Sequence, residues 1–253
     1  MGSASTGMAF LLAAKHALRP LFGTGRNELA RSLLRSLFFA THPGFFEKLP
    51  LQHHRPHAQF IHEVIERLAP SMRFLVSLET GCFLYDLARN GSGQGAIVEI
   101  GSYHGASTCC LAAGSKAANR EKVYAVDPQL MHRGQALEEN LRTAGVTAWV
   151  EVCRDFSQPA ARRWPRDQKI RLLFIDGDHS YVGAKTDFLE WEPFVCKDGW
   201  IVFHDFSPAE FEVCAAVNDF VLDNPAYHHF GRFDFPGDEV SWTFFCQKKT
   251  ATP

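Results

Sequence analysis

The chain has 253 residues, 46% of them apolar and 21% charged, with a formal net charge of −2. That length suits one large domain or one domain with an extension, and charge of both signs, scattered along the chain, excludes the basic field of a nucleic-acid or acidic-membrane binder. Seven cysteines without a C-x-x-C pair, two of them adjacent at Cys109 and Cys110, read as reduced thiols in a cytoplasmic protein and not as a disulfide framework.

No apolar run reaches the ~20 residues of a transmembrane helix. Residues 8–22, "MAFLLAAKHALRPLF", are amphipathic and cationic. They read as a helix packed on the domain in preference to an interfacial membrane helix, and no small-residue cleavage site follows to make them a signal peptide. The opening "MGSAST" fits a myristoylation pattern formally, and equally an expression remnant. Apolar spacing predicts helices over 27–40 and 56–70, the second closed by Pro70, and a third over 72–89 that ends at the loop "NGSGQG". His53, His54, His57 and His62 crowd one stretch, but His57 and His62 are spaced poorly for one helix face, so a polar lid is expected there in preference to a metal site. Residues 1–92 therefore read as a helical N-terminal extension or cap, covering a substrate or building a homodimer interface, and 93–253 as the main domain.

After the loop the rhythm changes. Short apolar runs at 96–100, 122–126, 148–152, 170–175 and 200–204 alternate with helical patterns near 105–118, 132–144, 157–164 and 181–195. This alternation predicts βαβ units and a Rossmann-like, mostly parallel sheet of seven strands with helices on both faces. The last two runs, "YHHFGRFDF" and "VSWTFFCQ", are separated by the turn signal "PGDE" with no helix between, so a C-terminal antiparallel hairpin is expected.

Ligands of open α/β sheets bind beyond the carboxyl ends of the strands. There the sequence places Glu99, Gly101, Tyr103, Gly105 and Ser107 at the first strand, then Asp127, then Asp155 and Phe156, then Asp176, Asp178 and His179, and finally His204 and Asp205. Gly101 and Gly105 with Asp127 would also suit a nicotinamide site. Three features argue against it: Tyr103 stands where the middle glycine of G-x-G-x-x-G belongs, Glu99 is an acid inside the strand, and the terminal hairpin is foreign to dinucleotide folds.

The stretches "VEIGSYHGAST", "VYAVDP", "LLFIDGDHSY" and "GWIVFHDF" resemble the successive motifs of class I S-adenosylmethionine-dependent methyltransferases. Within that class the signature is similar to the small metal-dependent O-methyltransferases, including macrolide-sugar methyltransferases and proteins related to cephalosporin hydroxylase. The resemblance spans about residues 94–247. It implies that Glu99 and Gly101, with Tyr103, Gly105 and Ser107 of the same turn, hold the methionine end of S-adenosyl-L-methionine. Asp127 would hold the ribose, Asp155 and Phe156 would border the adenine, and Asp176 would adjoin the cofactor. Asp176, His204 and Asp205 would hold a divalent metal, Mg²⁺ or Mn²⁺. His204 departs from the family, which commonly has an acid there, so it serves either as a ligand or as a hydrogen-bonding group for substrate. His179 would act as general base, with Asp178 as its rival. The activity implied is metal-assisted O-methylation of a hydroxyl on a saccharide or natural-product scaffold, with a small-molecule acceptor and no nucleic acid. The alternatives are an N-methyltransferase acting on an amino sugar, a nicotinamide-dependent oxidoreductase, and a non-catalytic relative that acts as a binding protein.

Overall fold

The structure, a computed structural model, describes residues 28–52, 58–67, 76–129, 133–235 and 238–249. Segment 8–22, the "MGSAST" opening and His53, His54 and His57 lie outside the described residues, whereas His62 is exposed on a helix. The chain forms two compact units that divide between Phe46 and Glu47. In the first, helix α1 (Glu28–Thr41) leads into a turn where Phe38 and Phe45 meet edge to face and His42 stacks on Phe38.

The second unit opens with α2 (Ala58–Arg67) and α3 (Leu78–Asn90), the latter capped by the Ser77 hydroxyl, which accepts from the Thr80 amide. Ile61, Val64 and Val76 share one core with the sheet that follows. That sheet begins at β1 (Ala96–Ile100), and the chain then alternates α4 (Ala106–Ala117), β2 (Val123–Val126), α5 (Arg133–Thr143), β3 (Val150–Cys153), α6 (Ser157–Arg163), β4 (Ile170–Ile175), α7 (Tyr181–Trp191) and β5 (Val195–Phe203). After α8 (Phe211–Val217) come β6 (Tyr227–Phe235) and β7 (Asp238–Lys248). The strand order is β3-β2-β1-β4-β5-β7-β6. β1 to β5 are parallel, while β7 pairs antiparallel with both β5 and β6, so the expected closing hairpin is present. Every residue of β1 and of β4 is buried, the condition for a sheet covered on both faces.

Differences from the sequence reading are local. β3 starts at Val150 because Thr147–Trp149 form a 3-10 turn, and β5 starts five residues early, at Val195. Helix α8 and the π-turn Asn218–Leu222 after it were not expected. All seven residues of α8 are buried, so the helix lacks the polar face that periodicity needs. Residues 50–52 run beside β6, with the Arg232 amide donating to Pro50 O and the Gln52 amide donating to Arg232 O.

Arg171 is fully buried within apolar β4. Its guanidinium donates to Leu87 O and Ala88 O at the end of α3 and pairs with Glu121, satisfying helix-terminal carbonyls that have no partner of their own. Arg171→Ala is expected to destabilise the fold by about 3 kcal/mol, the cost of breaking a buried, hydrogen-bonded ion pair, as read from urea unfolding.

Candidate active site

Five parallel strands end on one rim. At the first end the chain turns at Gly101, whose φ of 88° lies in the left-handed region. A Cβ there would strike the Asp176 carbonyl, so only glycine lets the β1 turn lie against the end of β4. Asp127, at the end of β2, is 7% exposed. One of its carboxylate oxygens accepts the Tyr103 amide at 2.9 Å and the other the Gln129 amide at 2.7 Å. The acid is thus fixed beside the β1 turn, with lone pairs left for a ligand. A cavity of about 790 Å³ opens over this rim, within the ~300–1,000 Å³ of small-molecule sites. Gly101, Tyr103, Gly105, Ser107, Asp127, Phe156, Asp176, Asp178, His179, His204 and Asp205 all line it.

Two expected cofactor residues stand back from the wall. Glu99 is fully buried, and its two oxygens take the hydroxyls of Ser107 and Thr108. Burial pushes its acid up to about 8. Ser107 therefore presents the cavity surface, with Glu99 as support behind it. Asp155 pairs with Arg163 and accepts the Phe156 amide at 2.7 Å, and the Arg163 bond holds its carboxyl below the usual range. Phe156, 56% exposed, presents its ring to the cavity instead.

At the ends of β4 and β5, two carboxylates meet two imidazoles. His179 Nε2 lies 3.0 Å from Asp205 Oδ2 and 3.6 Å from Asp176 Oδ1. From beneath, His204 Nδ1 lies 3.2 Å from Asp176 Oδ1 and 3.4 Å from Asp205 Oδ2. Asp205 adopts a φ of 53°, a left-handed conformation that costs a non-glycine residue about 1 kcal/mol or more and recurs where function fixes a side chain. Its hydrogen bonds to the Asp176 and Asp205 carboxylates raise His179 to about 10. The same carboxylates raise buried His204 well above its ordinary value against the opposing effect of burial, and the two imidazoles lower Asp205. His204 Nε2 is buried with no hydrogen-bond partner among the described residues.

Ligand atoms of Asp176, His179 and Asp205 all lie within 4.8 Å of one another. This hard donor set of two carboxylates and one imidazole fits Mg²⁺ or Mn²⁺. His204, the imidazole of the sequence reading, meets the same two carboxylate oxygens from the buried side at comparable distances. Asp178, the rival base, accepts from the Ser180 amide at 3.0 Å and the Ser180 hydroxyl at 3.1 Å at the start of α7. The sequence reading missed Asp187 of α7 and Gln158, which also line the cavity. The signal for Asp187 was a lone acid on the helix face that carries Ala184, Phe188 and Trp191, all buried.

Residues 98–206 match the family model described as a methyltransferase domain. An uncharacterized protein of Acanthamoeba polyphaga mimivirus is 33% identical over 138 residues, covering 50% of this chain and 59% of the relative. The chain thus spans about three-fifths of the length of this curated relative. The O-methyltransferase of Bacillus cereus, solved in complex with SAH, superposes with a TM-score of 0.60 at 17% identity, over 77% of this chain and 92% of that one. TomG of Streptomyces achromogenes, an O-methyltransferase involved in tomaymycin synthesis and solved with SAM, superposes with a TM-score of 0.59 at 14% identity, over 81% and 94%. The strand order is that of these methyltransferase structures, and residues 98–206 match a methyltransferase domain. Its fold is that of the small O-methyltransferases. Among the described residues, no helix is long and apolar enough to cross a membrane.

Proposed function

We propose that the protein methylates a hydroxyl of a small saccharide or natural-product acceptor, using S-adenosylmethionine and a divalent cation. The observation that carries this reading is the convergence of Asp127, Asp176 and Asp205 on one cavity. S-adenosylmethionine, when bound, supplies an already activated methyl group on a sulfonium sulfur. Asp176 and Asp205 would hold a divalent cation, which would supply polarisation of the acceptor hydroxyl and offset the negative charge that otherwise keeps His179 protonated.

The chain's own residues do the rest. The Asp127 carboxylate accepts from ribose hydroxyls, and the Gly101 turn lets the backbone approach the methionine end. Phe156 offers a flat apolar face for the adenine. His179 is half-buried at the mouth of the cluster and takes up the acceptor proton as the oxygen–carbon bond forms and the carbon–sulfur bond breaks. Most of the rate gain then comes from holding oxygen, carbon and sulfur in line. The two-acid cluster favours O- over N-methylation, because an uncharged amine needs no cation to become a nucleophile.

Calorimetry is expected to show S-adenosylhomocysteine binding without NAD binding. Stripping with EDTA is expected to lower methyl transfer to sugar hydroxyls at least tenfold, with Mn²⁺ or Mg²⁺ restoring it. NAD binding in place of S-adenosylhomocysteine would overturn the cofactor assignment. Transfer indifferent to EDTA, with no Mn²⁺ binding by calorimetry, would overturn the metal.

A further inference from the structure

The imidazole proposed above as base stands on a loop that has to be held from outside. His179 has 42% of its side chain exposed and lies two residues past Gly177. Packing grips little of such a ring, so its place 3.0 Å from Asp205 Oδ2 depends on where the chain carries it. Asp178 takes the amide and hydroxyl of Ser180, and Ser180 Oγ takes the Gly183 amide. Those bonds shape the turn locally.

Two further bonds reach across to another element. The Tyr181 amide, at the first position of α7, donates to Glu212 Oε2 on α8 at 3.0 Å. The Tyr181 hydroxyl donates to Asp219 Oδ2 in the π-turn at 2.8 Å. The amide has no acceptor within its own helix, and a carboxylate suits both that bond and the positive end of the helix dipole. Glu212 is 6% exposed, on a helix whose seven residues are all buried. An acid in that place costs desolvation, which charge-assisted bonds such as this one offset.

Helix α8 is itself rooted at Asp205. The Ser207 amide donates to Asp205 O at 2.9 Å, the Glu210 amide to Ser207 Oγ at 3.2 Å, and Cys214 Sγ to Ser207 O at 3.3 Å. Residues 205–212 thus form a hydrogen-bonded strap. It starts at one member of the cluster and grips the chain two residues beyond another.

We infer that Glu212 is a positioning residue for His179: through the Tyr181 amide it holds the start of α7 so that the imidazole stays against the Asp205 carboxylate. The inference rests on the reading of His179 as proton acceptor, but its test needs neither cofactor nor acceptor. Failure of that reading shows elsewhere, as a full rate of transfer in His179→Ala.

The test is carbethoxylation of the full chain by diethyl pyrocarbonate, followed at each histidine by mass spectrometry, with exposed His62 of α2 as the internal reference. A ring held as donor to carboxylates offers the reagent less free nitrogen lone pair than a released one. Relative to His62, Glu212→Leu is expected to raise the His179 rate at least threefold, and Asp205→Asn to do the same. The double variant is expected to stay within twofold of Asp205→Asn alone. Glu212→Gln keeps an acceptor oxygen and is expected to stay below the threefold rise. A smaller rise in Glu212→Leu, an equal rise in Glu212→Gln, or full multiplication of the two effects in the double variant would overturn the inference. So would a parallel rise at buried His204, the mark of a sheet end loosened as a whole. If Glu212→Leu does not fold, Glu212→Asp replaces it under the same limits, because its shorter stem withdraws the carboxylate from the amide.

Discussion

His179→Ala is expected to lower the rate of methyl transfer by about 10²- to 10⁴-fold, the usual contribution of a positioned general base. S-adenosylhomocysteine affinity should stay within threefold of wild type, because the ribose and adenine contacts are assigned to Asp127 and Phe156. The imidazole touches both Asp176 and Asp205, so its loss acts in one of two ways that Mn²⁺ titration separates. Loss of a base leaves Mn²⁺ affinity near wild type. Loss of a ligand weakens it tenfold or more, and would move His179 from proton acceptor to metal ligand, the role its place among the convergent atoms also permits. Replacing Asp178 instead should cost less than tenfold, since its side chain caps the start of α7 through Ser180. A His179→Ala variant with the full rate would remove the residue from the mechanism.

Glu99→Gln is expected to raise stability in alkaline solution. Burial raises Glu99 from 4.5 to about 8 in the folded chain, so between those values the native state binds a proton that the unfolded state has released. Stability changes with pH in proportion to protons bound unfolded minus protons bound folded, which is negative here. Glu99 therefore makes the fold less stable as pH rises from about 4.5 to 8, and the deficit is complete above 8. Its size is on the order of 4 kcal/mol. A glutamine at 99 keeps an oxygen to accept one hydroxyl of Ser107 or Thr108 and cannot ionise. Urea unfolding of both proteins should give nearly equal stabilities near pH 4.5 and a growing advantage for the variant up to pH 8 or 9. Parallel curves at all pH values would show that Glu99 does not titrate in this window.

The sheet was legible because its strands are buried on both faces and interrupted by polar turns. "AIVEI" and "IRLLFI" gave β1 and β4 with their bounds intact. The site was legible where chemistry sits at a strand end: Asp127, Asp176, His179, His204 and Asp205 do share one cavity. Depth was not legible. Strand alternation does not tell that Glu99 faces inward behind Ser107, because α4 has first to lay its hydroxyls over it. Nor does sequence spacing show that Asp155 turns to Arg163, eight residues on. Asp187 stayed hidden because an acid inside a helix ordinarily faces solvent, and only the packed fold shows it buried. Arg171 was equally opaque: a charge in an apolar strand finds its carbonyl partners more than 80 residues earlier, at Leu87 and Ala88.

The seventh strand lies between the fifth and the sixth, and the Phe206 amide, one residue past Asp205, donates to the Trp242 carbonyl on that strand at 3.0 Å. A nascent polypeptide emerging from the ribosome can therefore pair β1 to β5 and still lack the brace behind its second acid. Competence for methyl transfer should arrive as a late event of synthesis, once Trp242 has been made.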